Sequence, residues 1–326
     1  MDFTRILPEE CLCLIISLTS PAEACRSALV CPALRSAADS DAVWEKFLPC
    51  DYKSIILETS LSATLVSMGK KELYFRLFSH PILILNDTMS FQLEKRSGKK
   101  CYMLGARALS ISWGDSPSHW TWKSQPDSRF PEVAKLRSVW WLEVKGMIES
   151  RILSPNTKYA AYLVFKLTSS GETVFKGRHV SLNVSVDGID SSRERRVSLH
   201  PRDEPRHVRE RRDGWMEVEM GEFLNEYGDD GTVDFSLKEI EGNVNKGLII
   251  EGIELRPKDV DKLWRPLGQV GSFKNQFLLR SHWKPESRGT TRDILSSSRK
   301  RSDHSGLGGH TWFILLKFLA ELISRI

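Results

Sequence analysis

Six cysteines, at positions 11, 13, 25, 31, 50 and 101, are the first residues whose chemistry must be weighed. Thiolates hold zinc when paired at CxxC or Cys/His spacing. Cys11 and Cys13 stand two apart, on different sides of any helix, and no HxxxH follows. Reduced, buried thiols are expected instead, including Cys101, which precedes Tyr102 in an aromatic strand-like run. No GxSxG, P-loop, HExxH or GxGxxG occurs. The expectation is a non-enzymatic chain with no metal and no cofactor.

Charge chemistry points equally little toward a polyanion. The 326 residues are 40% hydrophobic and 27% charged, enough for about two domains with cores. The net charge is +5, but it is unevenly placed. From residue 265 onward there are 11 basic and 4 acidic side chains; the residues before it hold 36 and 38. Nucleic-acid recognition asks for basic residues on a folded face among stacking aromatics. The excess here sits in a Ser-, Gly- and Arg-rich tail, so no nucleic acid is expected. Met1 to Glu10 has no basic lead into an apolar run, and no stretch of 18 uncharged apolar residues occurs. Neither a secretory signal nor a spanning helix is expected, and the location implied is cytoplasmic and/or nuclear.

The elements that must position any site fall into four stretches. Residues 1–49 are a small helical module. Pro8 opens a helix with Leu12, Ile15 and Ile16 on one face, and Ser20-Pro21 starts a second that ends at Leu29-Val30. Asp39 or Ser40 caps a third carrying Val43, Trp44 and Phe47. Residues 50–98 form a helical linker, with Ile82 to Leu85 as a short strand. From Lys99 the apolar period becomes two. His179 to Val186 alternates Val180, Leu182, Val184 and Val186 against polar partners, and Trp215 to Met220 alternates likewise. Val139–Ile148, Tyr159–Leu167, Val233–Leu237 and Leu248–Leu255 complete at least six strands, with one short helix near Glu222–Tyr227. No long helix intervenes, so residues 99–258 are an antiparallel β-sandwich. Ser191 to Arg212, with eight arginines and four acids, is a long solvated loop. Residues 259–326 are a disordered basic tail with an apolar end, Trp312 to Ile326, the one place where membrane-surface contact could arise.

Two resemblances follow from these residues. Residues 7–48 resemble an F-box through Leu7-Pro8-Glu9, Ile15-Ile16, Leu29-Val30 and the closing Asp41-x-x-Trp44-Glu45-Lys46-Phe47-Leu48-Pro49. Residues 99–258 resemble the lectin domain of phloem protein 2 and the Nictaba-related plant lectins. The carriers are Ala106 to Ile111, Trp113-Gly114-Asp115, Trp120-Thr121-Trp122, Tyr159 to Lys166, Asp213 to Glu217 and Gly247 to Pro257. Together they are similar to plant F-box proteins of the phloem protein 2-B type: an α+β chain of all-α F-box, helical linker and jelly-roll-like sandwich. His119, Thr232 and Val244 depart from the family pattern, at positions where an aromatic, an acid and a Trp-Lys-Ser-Gly sequence are usual.

The F-box resemblance implies docking on a Skp-type adaptor of a cullin–RING ubiquitin ligase, through an apolar helix face filling a groove. Leu7, Pro8, Ile15, Leu29, Val30 and Trp44 are the candidates. Each could equally belong to the module's own core, which forty residues can hardly fill alone. The lectin resemblance implies N-acetylglucosamine oligomers or N-glycan cores. Aromatic rings cover sugar C–H faces and carboxylates accept from hydroxyls. Trp113 and Asp115 share parity, as do Trp120 and Trp122, so Trp113, Asp115 and Trp120 form the candidate platform. Glu239 is a further acid, expected beyond the end of its strand. Trp122, Trp140 and Trp215 are expected to pack the sandwich. Three readings follow: a ligase subunit selecting a glycoprotein or protein substrate, a lectin acting without ubiquitin machinery, and a protein-binding adaptor that has lost sugar affinity.

Overall fold

The computed structural model describes residues 7–258 apart from 191–193, 204 and 229. The expectations placed on the tail from 259 onward lie outside the described residues. The first helix, α1 (Glu9–Ser17), follows Pro8 and carries Glu9 and Glu10 in its first turn, where the helix dipole favours anions. Ser20 accepts from the Glu23 amide to cap α2 (Pro21–Ser27). α3 (Pro32–Asp39) begins at a proline, and Ser40 caps α4 (Asp41–Phe47) through the Ala42 amide. Leu12, Ile15, Ile16, Leu34, Ala37, Val43 and Trp44 are buried between them. α5 (Tyr52–Leu57), α6 (Ser62–Ser67) and α7 (Lys70–Ser79) continue the helical region, and Tyr74 of α7 meets Trp44 at 5.2 Å between ring centroids.

The sheet begins earlier than the alternation predicts. β1 (Ile82–Ile84) and β2 (Met89–Leu93) lie inside the stretch expected as a helical linker, yet they pair with each other and with β3 (Lys100–Gly105). Their turn holds Leu85, Asn86 and Asp87 at positive φ, and Asn and Asp are the residues that tolerate it. The remaining strands are β4 (Ser110–Ile111), β5 (Trp120–Lys123), β6 (Val133–Leu136), β7 (Leu142–Glu149) and β8 (Thr157–Leu167). After a short α8 (Ser169–Phe175) come β9 (His179–Val186), β10 (Ile189–Asp190), β11 (Arg195–Ser198) and β12 (Val208–Glu210). β13 (Met216–Asn225), β14 (Thr232–Glu239) and β15 (Leu248–Pro257) complete two antiparallel sheets. A nine-stranded sheet runs β1-β2-β3-β15-β8-β13-β12 with β5 and β6 branching from β15; a six-stranded sheet runs β10-β9-β14-β7-β4 with β11 beside β9.

Two expectations about elements are corrected. Residues 222–225 continue β13 instead of forming a helix, because a bulge between Glu219 and Gly221 shifts the register without ending the pairing. The helix sits instead at α8, capped by Thr168 onto the Gly171 amide. The arginine-rich stretch is no free loop. It supplies β11 and β12 and buries Val197, Leu199 and Val208. Its arginines meet carboxylates of β13 and β15 instead of solvent alone.

One apolar core runs unbroken from the helices into the sheets, from Leu12 through Tyr74 and Phe91 to Leu255. The seam between them is also pinned by polar contacts. Lys100, its side chain 7% exposed, pairs with Asp51 at 2.7 Å. The Gln92 amide donates to the Phe78 carbonyl at 2.6 Å. At Gly98, φ is +68°, and a Cβ there would stand 2.9 Å from the Phe47 carbonyl oxygen, so only glycine lets this turn close against the helices.

Candidate functional site

In the helical module the sequence candidates divide by exposure. Ile15 and Trp44 are fully interior, and the Trp44 indole donates to the Ala38 carbonyl at 2.7 Å. Leu7 is half-buried against the core. Pro8 is exposed, and Leu29 and Val30 stand out at 78% and 71% exposure in the turn after α2. Two further residues join them that apolar spacing alone did not separate from the core. Leu14 and Leu18 lie four apart, one turn of helix, and both point to solvent. The signal was present: Leu12, Ile15 and Ile16 claim one face of α1, which leaves Leu14 and Leu18 on the other.

The sandwich brings its exposed tryptophans to one end of the six-stranded sheet. β4 leads into a pair of tight turns, with the Gly114 amide donating to Ile111 and the Ser116 amide to Trp113, each at 2.9 Å. These turns replace the extended segment that the Trp113/Asp115 parity assumed. Trp113 is 62% exposed and holds φ at +64°, a left-handed conformation worth about 1–3 kcal/mol of strain for a bulky residue. The strain is held by the neighbouring strand. The Trp120 indole N–H donates to the Ser112 carbonyl at 3.1 Å, and the Trp122 indole N–H to the Gly114 carbonyl at 3.0 Å. The carbonyls of both residues flanking Trp113 are therefore tied to β5. His119 covers Trp113 at 5.7 Å between centroids, and its Nδ1 meets the Ser116 and Ser118 hydroxyls. Asp115 is exposed beside them.

The other sequence candidates sit elsewhere. Trp120 is 2% exposed, with no free ring face, because β5 turns it into the core. Trp122 is half-buried with the Arg107 guanidinium over its ring at 3.7 Å. Trp215 is buried, its indole donating to the Asp127 carbonyl at 2.9 Å. Glu239 does not lie beyond the strand. β14 runs intact to it, so its parity carries it inward, where Arg178 at 2.9 Å from Oε1 neutralises it and the Asn245 amide donates to Oε2. Of the three departing positions, Val244 gives its carbonyl to Arg178, Thr232 opens β14 with its amide on Asp187, and His119 stacks as described.

Trp140 was expected in the core and is instead exposed, beside an equally exposed Trp141. They immediately precede β7, whose true start is Leu142 rather than Val139, so no sheet neighbour covers them. The Ser112 amide donates to Glu143, and Leu142 faces Glu239 in register. Trp113, Trp141 and the exposed Ile240 therefore arrive at the same sheet end.

The opposite sheet carries a different chemistry on its outer face. Glu254 lies between Arg211 at 2.6 Å and Arg129 at 3.2 Å, and Glu217 is held by Arg256 at 2.9 Å. Burial alone would raise the Glu254 pKa, but the guanidinium groups of Arg129, Arg211 and Arg256 outweigh it and hold the carboxyl below its ordinary value. Cys101 is buried, and that burial pushes its thiol far above the ordinary range, where no thiolate forms. The six cysteines are free thiols, and among the described residues no cluster of three or more His, Cys, Asp or Glu is arranged to hold a metal. No helix of the described residues is long and apolar enough to cross a membrane.

Comparison with known proteins places this architecture. Residues 4–49 match the F-box-like family and residues 99–257 the phloem protein 2 family. These are families of adaptors and lectin-like binding modules, not of catalysts. The chain belongs to the F-box proteins of the phloem protein 2-B type. It is 43% identical to F-box protein PP2-B10 of Arabidopsis thaliana, covering 78% of this chain and 93% of that one. F-box protein PP2-B15 and F-box protein VBF of the same plant are 41% and 38% identical, over 96% and 99% of their lengths and 78% of this chain. Among solved structures, a family 35 carbohydrate binding module from Clostridium thermocellum aligns over 48% of this chain and 98% of its own, at 8% identity and a TM-score of 0.30, too distant to carry a functional argument. The F-box implies binding of a Skp-type adaptor, and the phloem protein 2 domain implies binding of a glycan or a protein.

Proposed function

We propose that this chain is the substrate-recognition subunit of a Skp–cullin–F-box ubiquitin ligase. Pro8, Leu14, Leu18, Leu29 and Val30 form the face that meets the adaptor, while Ile15 and Trp44 hold that face from within. The turn carrying Trp113 and Asp115 takes an N-acetylglucosamine oligomer or N-glycan core on the captured protein, with Trp120 and Trp122 as positioning residues. Glu239 serves the core. The chain performs no bond-making itself; it holds the captured protein beside the loaded enzyme and raises its effective concentration there.

The observation that carries this reading is the exposure of Leu29 and Val30 on a module whose other large apolar side chains are mostly packed. Isolated exposed leucines are ordinary, but a grouped apolar face on so small a module fits an interaction surface. Co-purification with a Skp-type adaptor and cullin tests it. Leu29→Asp with Val30→Asp should abolish capture while leaving thermal unfolding unchanged, since neither side chain is in the core. Retained capture would overturn the adaptor assignment. Chitooligosaccharide titration of the full chain tests the second half: Trp113→Ala should weaken binding by tenfold or more, about the worth of one stacked ring and its contacts. A chain that binds sugar normally yet captures no adaptor would be a lectin working without the ubiquitin machinery.

A further inference from the structure

The arginine-rich insertion encloses a cavity that the adaptor and glycan assignments leave unused. It measures about 140 Å³ and is lined by Tyr162, Arg195, Arg206, His207, Arg209, Glu217 and Glu219. That is room for several waters or one tetrahedral oxyanion. The two carboxylates are already committed. Both Glu217 oxygens accept from Arg256, at 3.0 and 2.9 Å, and Glu219 accepts from Arg195 at 2.8 Å and Lys258 at 3.1 Å. Arg206 and Arg209 have no partner among the described residues. Arg195 donates through one of its nitrogens, which leaves further N–H groups of its fork to offer. The cavity thus presents surplus guanidinium donors over a neutralised floor, the arrangement that recognises a dianionic phosphate.

The wall of the cavity also selects the form in which that phosphate arrives. Arg209 sits on β12, the terminal strand of the nine-stranded sheet, paired with β13 on one side only. Its other edge leaves backbone N–H and C=O groups available to an extended chain. A free strand edge beside an arginine cavity suits a peptide, whereas a sugar has no use for a β-ladder. We infer that this cavity and the β12 edge form a binding site for a phosphoserine- or phosphothreonine-bearing peptide. The strands β7, β14 and β9 lie between β4, which leads to Trp113, and β11, which begins at Arg195. At about 4.8 Å per strand the two sites are roughly 20 Å apart and can be occupied together. That such a peptide belongs to the captured protein rests on the ligase reading above; the binding chemistry stands without it.

Fluorescence anisotropy of the full chain with degenerate phosphoserine and phosphothreonine peptide pools, and their unphosphorylated counterparts, tests the inference. The phosphorylated pools should bind tenfold or more tightly, the effect of one charge-assisted contact or better. Arg206→Gln with Arg209→Gln should remove that difference without lowering the unfolding temperature, both side chains being exposed. The same double variant should keep its chitooligosaccharide affinity, and Trp113→Ala should keep its phosphopeptide affinity, so the two sites fail separately. Equal binding of the two kinds of pool, or a phosphate preference untouched by the arginine variants, would overturn the proposal. So would competition by a sulfated oligosaccharide from a chain indifferent to the phosphopeptides, which would assign the cavity to a glycan instead.

Discussion

Glu254 shows how single residues on this surface are committed to the fold. Its carboxylate is interior, and three guanidinium groups keep it ionised below the ordinary carboxyl pKa. A group depressed in this way stabilises the folded chain above its unfolded pKa, about 4.3 for Glu, and loses that contribution as the pH falls through the folded value. Glu251, three residues away, goes the other way. Burial dominates there and raises its pKa, so its protonated form is favoured and its charge becomes a cost as the pH rises through the folded value. Glu254 therefore contributes to acid sensitivity below the unfolded carboxyl pKa, alongside the likewise depressed Asp127, Glu143, Asp203 and Glu219. Glu254→Gln should cost about 1–3 kcal/mol at neutral pH, because the half-buried Arg129 loses its carboxylate and Arg211 keeps only Asp213 and the more distant Glu217. Urea unfolding at pH 7 and at about pH 2.5, below the ordinary carboxyl range, should show a smaller loss between the two for the variant than for the parent.

At the scale of elements, the turn after β4 is governed by the strand that follows it. Trp120 and Trp122 each reach back eight residues to a carbonyl beside Trp113. Trp120→Phe keeps an aromatic ring in the core but removes the indole N–H together with part of the bicyclic ring. It should cost about 1–3 kcal/mol of stability, one hydrogen bond plus a small cavity, and leave the chain folded. It should nevertheless weaken chitooligosaccharide binding several-fold, as Trp113 relaxes from its left-handed conformation. A titration paired with thermal unfolding separates the two effects. This is also where legibility in the sequence ran out. Helix starts were readable because Ser20-Pro21 and Ser40 punctuate them, and β9 was readable because its alternation is unbroken. β13 was misread past Glu219 because a bulge changes which side each residue faces while leaving the composition unchanged. Apolar type could not separate Ile15 from Leu14, nor Trp120 from Trp113, since both members of each pair are equally hydrophobic. The difference lies in which face a neighbour covers. The arginine stretch looked solvated because its carboxylate partners are distant in sequence, on β13 and β15.

The whole molecule is organised around the seam between helices and sheets. A continuous core, the Lys100–Asp51 pair and the close approach at Gly98 make the two parts one body. Gly98→Val would place a branched side chain at φ +68°, against the Phe47 carbonyl. It should loosen this seam more than it unfolds either part. Spin labels at exposed sites on α1 and on β7 should then give a broadened distance distribution, where the parent gives a single narrow one. A narrow distribution retained in the variant would show that the core alone holds the two parts.

An inflexible seam converts position into selectivity. If one end of a rigid arm is clamped to an assembly and the other grips a cargo, the cargo cannot tumble to offer every side in turn. Only the lysines on the flank facing the loaded enzyme come within range, and those on the far flank stay shielded by the cargo itself. In its proposed role the molecule then fixes a bearing as well as choosing what to hold. The positions marked on the cargo follow from geometry, before any preference of the enzyme is exercised.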